Sequence, residues 1–277
     1  STSAVGSIDA SLNWFGVATG PPPEQISGNV EFTPWCGDAA CTFTVSSFGA
    51  EGEIILPENA EPQNVQAAIN AVPEGSTIVI PAGTIQLLDE NHKGFEITTP
   101  NLTIKLSDGT IVQNSSPCFT INASNTTITS DGLAQCIATN GSNGIDVAAG
   151  LSNIIIENLM ITDDASSSTG DGIHFAGAIS NLVIRDTFIT GMPQNGIYFT
   201  ETPSGIVEIN GNAFVQNGAL GIKDDGVGSF NALYNSWGSY DAPVAGVDHS
   251  PNITAVPYTY AALSMESSGS PWVDQVA

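Results

Sequence analysis

The sequence predicts an all-β solenoid of short parallel strands, with one helix near its start. Three observations carry this. A Gly-x-x-x phrase recurs between Asn143 and Gly221, as Gly144-Ile145-Asp146-Val147, Gly172-Ile173-His174-Phe175 and Gly196-Ile197-Tyr198-Phe199. The steps between phrases are 28 (173 − 145) and 24 (197 − 173) residues. The stretches between them are short, β-branched runs that alternate apolar and polar residues. Self-similarity at such a period marks a solenoid, in which each coil covers only its neighbours.

Taken in order, the chain divides into 1–62, a closing or assembly segment and connector; 63–238, the solenoid with its capping helix; and 239–277, a second closing segment and tail. The opening segment carries Asn13-Trp14-Phe15-Gly16 and Phe32-Thr33-Pro34-Trp35. Ala4–Pro21 has a near copy at Gly226–Pro243, offset by 222 (227 − 5), with 7 of 18 positions identical. The connector holds Cys36, Cys41 and a strand at Glu53-Ile54-Ile55-Leu56. Val65, Ala68, Ile69 and Val72 fall at i, i+3, i+4 and i+7, the apolar stripe of a helix that Pro73 and Gly75 end. Such a helix would cap the open end of a strand stack, where a sheet edge would otherwise be bare.

From Thr77 onward strands dominate. Phe95-Glu96-Ile97 and Leu102-Thr103-Ile104 alternate with period two, and Phe119-Thr120-Ile121 and Thr126-Thr127-Ile128 repeat them 24 residues on (119 − 95; 128 − 104). Ile222 closes the series. Asp163–Gly170 is the largest turn. Asn158, Asp186, Asn212 and Asn235 each stand two before an apolar residue, as does Asn13 in the leading copy. Short polar side chains of this kind tolerate left-handed backbone, and stacked in successive coils they would form a ladder at a bend. Beyond 238 the pattern dissolves into prolines and a polar tail.

Composition narrows the function. There are 28 Asp and Glu against 4 Lys and Arg, a formal net charge of −24. That balance excludes binding along nucleic-acid phosphate and docking on anionic lipid. No apolar run is long enough to cross a membrane as a helix. Charged residues are only 12% of the chain; the surface is largely Ser, Thr, Asn and Gly, which suits an extracellular or cell-surface location. The start, Ser1-Thr2-Ser3, reads as a processed end or a cut boundary. Two disulfides, Cys36–Cys41 and Cys118–Cys136, fit an oxidising compartment; four buried or free thiols are the alternative.

These residues resemble the right-handed parallel β-helix, or pectin-lyase-like, superfamily. The likeness rests on Gln66-Ala67-Ala68-Ile69, Gly75-Ser76-Thr77-Ile78 and Pro81-Ala82-Gly83-Thr84, and covers about 65–238. The Asn13-to-Trp35 phrases are similar to the closing segment of surface β-helix repeat proteins. The resemblance implies the fold more firmly than any activity, because the fold hosts lyases, hydrolases, adhesins and plain scaffolds. Family lyases use a basic residue, for which Arg185 is the candidate. Family hydrolases use two or three Asp on adjacent coils; Asp146, Asp163, Asp164 and Asp171 are the candidates, with His174 nearby and Asp224-Asp225 beside Lys223 two coils on. The family's Asn-Thr-Asp, Gly-His-Gly and Arg-Ile-Lys phrases are missing. Asp163, Asp164 and Asp171 are also the candidate oxygen ligands for a Ca²⁺ ion, the one cofactor considered.

The sequence therefore reads first as a non-catalytic structural solenoid, a subunit of a surface layer, adhesin or filament. Its expected partners are copies of itself, met head-to-tail through Val5, Ile8, Leu12, Trp14, Phe15, Phe32, Trp35 and Trp237. The bland counterpart is that the leading segment folds back as a cap on its own subunit. The alternative function is a carbohydrate-active or polysaccharide-binding β-helix. There Tyr198, Phe199 and Trp237 would stack on sugars, and Asp163, Asp164, Asp171 and His174 would carry any catalysis.

Overall fold

The computed structural model describes residues 8–18, 20, 30–48, 52–87, 94–164, 168–227, 229–237 and 247–248. Val5 and almost all of 239–277 therefore lie outside the described residues. Three sheets run the length of a parallel solenoid. The first has eight strands, from Ser47–Phe48 and Ile54–Ile55 through Thr77–Ile80 to Ser204–Asn210. The second has seven, from Gly83–Leu87 to Ser236–Trp237, and the third six, from Phe95–Ile97 to Ile222–Asp224. Every pairing in these sheets is parallel except that of Ser47–Phe48 with Ile54–Ile55. One strand in each sheet makes a coil, so coils 1 to 6 span 77–97, 103–121, 126–147, 152–175, 180–199 and 204–224. Each coil returns to the same sheet one place further on, a crossover that is right-handed in nearly all proteins. The architecture is the parallel β-helix that the repeat and the resemblance led us to expect.

The core is a set of columns. Ile145, Ile173, Ile197 and Ile222 pair in register on the third sheet and are fully buried. Phe175 stacks on Phe199, centroids 4.6 Å apart, and Phe199 meets Phe230 edge-on at 5.3 Å. Burying one such side chain contributes about 1.5–3 kcal/mol. The repeated glycines have a steric reason. An added Cβ at Gly172 would stand 2.4 Å from the Gly196 carbonyl oxygen and 2.4 Å from Ile189 Cγ2. At Gly144 and Gly196 the next coil's carbonyl is equally close, at 2.6 and 2.5 Å. Glycine therefore opens each rung because neighbouring coils leave no room for a side chain.

The helix runs Pro62–Ala71 and buries Val65, Ala68 and Ile69. It starts two residues before the apolar pattern does, because Pro62 suits the first helical turn, where its missing N–H is not needed. Gln66 ties it to coil 1 through both of its amide atoms, accepting from Glu96 N (2.8 Å) and donating to Glu96 O (2.9 Å). Both disulfides form, Cys36–Cys41 and Cys118–Cys136; the second lies inside the core between coils 2 and 3.

The polar ladder is two ladders, and one part of it is corrected. Asn158 and Asp186 are equivalent and left-handed, with φ of 56° and 50°. Their counterpart in coil 6 is Gly211 (φ 68°), not Asn212. The strand register shifts by one near Ser180/Leu182, which displaces everything after it. Asn212 instead stacks on Asn235: its backbone N and Nδ2 both donate to Asn235 Oδ1, at 2.9 and 3.0 Å. The sequence reading missed a second column at the bend into the first sheet. Asn101, Asn125, Asn153 and Asn181 are all left-handed there. Asn153 Nδ2 donates to Asn125 Oδ1 (2.6 Å) and Asn181 Nδ2 to Asn153 Oδ1 (3.1 Å).

The opening segment folds onto its own chain. Ile8–Asp9 pairs in parallel with Val30–Glu31, Trp35 is buried, and Trp35 Nε1 donates to Ala18 O at 2.9 Å. Phe15 and Phe32 pack partly against the core, whereas Ile8, Leu12, Trp14 and Val17 stay exposed.

Candidate functional site

Strand alternation places every second residue of the third sheet on the outside of the solenoid. Register then aligns Glu96, Thr120, Asp146, His174, Tyr198 and Lys223 in one outward column, one residue per coil. The last four are the residue after Ile in each Gly-Ile phrase, so this column is legible in the sequence once the phrases are aligned. At its C-terminal half the column is closely knit. Asp146 Oδ1 lies 3.2 Å from His174 Nδ1 and accepts from Asn143 Nδ2 at 2.7 Å. His174 stacks on one face of Tyr198, centroids 5.4 Å apart, and Lys223 Nζ sits 4.5 Å from the ring centroid, reaching it from the strand on the other side. Tyr198 Oη donates to Asp225 Oδ2 (2.7 Å), which Lys223 Nζ also approaches at 3.1 Å.

The charges hold one another. Hydrogen bonding to Asp146, reinforced by its charge and that of Asp171, raises the His174 pKa against the opposing effect of burial. The Tyr198 hydroxyl and Lys223 hold the Asp225 carboxyl below the usual carboxylate range. The bond to Asp225 raises Lys223 and Tyr198 in turn. Asp225 is therefore an ionised acceptor, suited to a base or to gripping hydroxyls, and unsuited to donating a proton.

Asp225 also lines a cavity of about 860 Å³. Its walls are the turn 200–207, after the third-sheet strand of coil 5, and the turn 225–231, after that of coil 6. Thr200, Glu201, Thr202 and Asn231 supply polar groups, and Phe230 supplies an apolar floor. The walls are braced from beneath. Thr202 Oγ1 donates to Asp224 Oδ2 (2.8 Å), and Gly226 N donates to Asp224 Oδ1 (2.9 Å).

The other sequence candidates fall elsewhere. Asp171 is buried; its Oδ1 accepts from Asn195 N (2.9 Å) and Asn195 Nδ2 (2.8 Å), and its own N donates to Asn143 Oδ1 (2.8 Å). It is a rung linking three coils, away from the open face on which Asp146 and His174 stand. Asp163 ends a second-sheet strand and Asp164 follows it, exposed. Among the described residues, no three His, Cys, Asp or Glu side chains come together as a metal-holding group, so Asp163, Asp164 and Asp171 are not one. Arg185 pairs with Glu157 across coils (Nε to Oε2, 2.5 Å) on the outer face of the first sheet. Phe199 is core, Trp237 stacks on Phe214 at 4.8 Å, and both faces of Tyr198 are occupied within the column. What sequence reasoning missed is the pairing of Tyr198 with Asp225 and the cavity beside it. Both depend on how two turns of unlike length close over coil 6, which no local pattern encodes.

No protein-family model matches the chain, and no curated protein matches it either. Among solved structures it is similar to a family 28 exopolygalacturonase from Yersinia enterocolitica, at 11% identity and a TM-score of 0.40, over 78% of this chain and 58% of that one. The chain thus spans less than two thirds of that enzyme. A likeness of this size carries no argument about chemistry, and the parallel solenoid stands on its own strand pairings.

Proposed function

We propose that this chain is an extracellular, polysaccharide-binding β-helix that takes a neutral saccharide in the cavity beside Asp225. One observation carries the reading: the cavity lined by Glu201, Thr202 and Asn231 over Phe230 is continuous, through Asp225, with the Tyr198–Lys223 column. About 860 Å³ falls within the range of small-ligand sites. Hydroxyl, amide and carboxylate groups around one apolar surface match the alternating polar and apolar faces of a sugar. The excess of carboxylates, in a chain of net charge −24, disfavours an acidic saccharide. Glu201 and Asp225 are the carboxylates a hydrolase would set on either side of a glycosidic bond. The two disulfides agree with an extracellular location.

Calorimetric titration of the full chain with neutral and with uronic-acid oligosaccharides tests this, alongside an assay for released sugar. Saturable binding of a neutral oligosaccharide is expected, weakened roughly tenfold by Asp225→Asn, as loss of a charge-assisted hydrogen bond implies. Glu58→Gln, remote from the cavity, should leave it unchanged. Absence of saturable binding, or equal binding by Asp225→Asn, overturns the reading.

A second reading, a structural surface module assembled from copies of itself, is favoured by the duplicated end segment.

A further inference from the structure

The duplicated segment folds the same way at both places. Ile8–Asp9 and Phe230–Asn231 are equivalent at the offset of 222 (230 − 8), and both are two-residue strands. Each pairs in parallel with a strand about one coil later, Val30–Glu31 in the first case and Val247–Asp248 in the second. Leu12 and its counterpart Tyr234 are both left-handed, with φ of 54° and 58°. A left-handed Leu or Tyr is strained, so its recurrence marks a shared conformation. Asn13 Nδ2 donates to Ala10 O at 2.9 Å, and Asn235 Nδ2 donates to Ala232 O at 2.8 Å.

The two copies differ in what lies before them. The later copy sits on coil 6. Asn235 is fully buried, accepts both nitrogens of Asn212, and donates to Ile209 O at 2.8 Å. Ser236–Trp237 pairs with Ala213–Val215, Trp237 stacks on Phe214, and Phe230 reaches Phe199. The leading copy has its following neighbours, since Ala10 N, Leu12 N and Cys36 N make bonds between it and 30–36. Among the described residues it has no preceding coil. Ile8 is 65% exposed where Phe230 is 7%. Asn13 is exposed, and no described donor reaches its Oδ1, the atom equivalent to the one that takes two bonds in Asn235. Trp14 is 37% exposed where Ser236 is 8%. The leading copy is thus a coil with one finished and one unfinished face.

We propose that the unfinished face docks on coil 6 of a second copy of this chain, in place of that copy's own 226–237 segment, and that repetition builds a head-to-tail filament. The interface needed is already present within the chain, between coil 6 and 226–237, and the leading segment carries its key groups. In the exchanged contact Asn13 Oδ1 takes the two nitrogens of Asn212, Phe15 covers Phe214, and Ile8 meets Phe199. Exchanging one copy of an element for another makes no new kind of contact, which is what keeps segment swapping low in cost. A contact between unlike ends does not close on itself and so propagates. This inference is independent of the saccharide reading.

The test uses the full chain, sized by analytical ultracentrifugation and viewed by electron microscopy over a range of concentrations. Wild type should form a concentration-dependent ladder of end-to-end oligomers. Ile8→Asp, at a position exposed in the single subunit, should abolish it and leave a folded monomer. Phe230→Ala weakens only the competing segment and should shift assembly to roughly tenfold lower concentration or beyond. Opposite signs from equivalent positions are not expected of unspecific association. The double variant Ile8→Asp/Phe230→Ala should return to monomer. Monomers of wild type at every concentration, assembly indifferent to Ile8→Asp, or a double variant that still associates would each overturn the proposal.

Discussion

Gly172→Ala tests the steric account of the repeated phrase. The new methyl group would lie 2.4 Å from Gly196 O and 2.4 Å from Ile189 Cγ2, about an ångström inside ordinary contact. Neither neighbour can swing aside: Ile189 is fully buried, and Gly196 O accepts from Ile173 N at 2.9 Å. Relief requires coils 4 and 5 to part locally, which also stretches the bond from Gly172 N to Asn195 O (2.9 Å). Overpacking costs about 1–3 kcal/mol, and one buried hydrogen bond lost adds about 1–3 kcal/mol. The sum, about 2–6 kcal/mol, is a large part of the 5–15 kcal/mol typical of a folded domain. Urea unfolding followed by far-ultraviolet circular dichroism would measure it, with Gly150→Ala as control. Gly150 has φ of 79° and no atom within 4 Å of an added Cβ; its cost is the left-handed backbone alone, about 1–2 kcal/mol. A Gly172→Ala penalty no larger than that of Gly150→Ala would refute the argument that inter-coil contact selects glycine.

Two further outcomes follow from the site and the cross-links. Because the His174 pKa is raised in the folded chain by Asp146, its contribution to stability is complete below the unfolded value of about 6.5 and is lost as pH rises through the folded value. The melting temperature should therefore fall between about pH 6 and pH 8, and Asp146→Asn should flatten that part of the profile; an unchanged slope in the variant would show that His174 is not its source. Removing Cys118–Cys136, which spans 18 residues, should cost about 3 kcal/mol by loop closure, against about 2 kcal/mol for Cys36–Cys41, which spans 5. Paired Cys→Ala variants compared by urea midpoint would expose the reverse order, and with it a failure of the loop argument.

Much of the fold is written in the residue pattern. The columns Ile145-Ile173-Ile197-Ile222 and Phe95-Phe119 pair as the spacing says, because a buried strand whose side chains alternate cannot slip by one without exposing its core face. The failure at Asn212 has the same origin. An irregularity of one residue near Ser180/Leu182 moves the later register, and a bulge leaves little mark in composition. The Asn101-Asn125-Asn153-Asn181 column was present in the spacing and went unread.

The sequence by itself determined the solenoid, its coil length, the capping helix, the glycine at each rung and the duplication of the end segment, since all of these are periodic or local. Tertiary structure alone decided which acids are interior and which are open: Asp171 is a buried rung and Asp146 a surface partner of His174, although both belong to rung openings. It also decided that Asp225 meets Tyr198 and Lys223 at the edge of a cavity, and that one copy of the end segment is covered while the other is not. The physical reason is the same in each case. Side-chain period fixes which way a residue points, whereas what it meets there is set by the coils before and after it, some 25 residues distant.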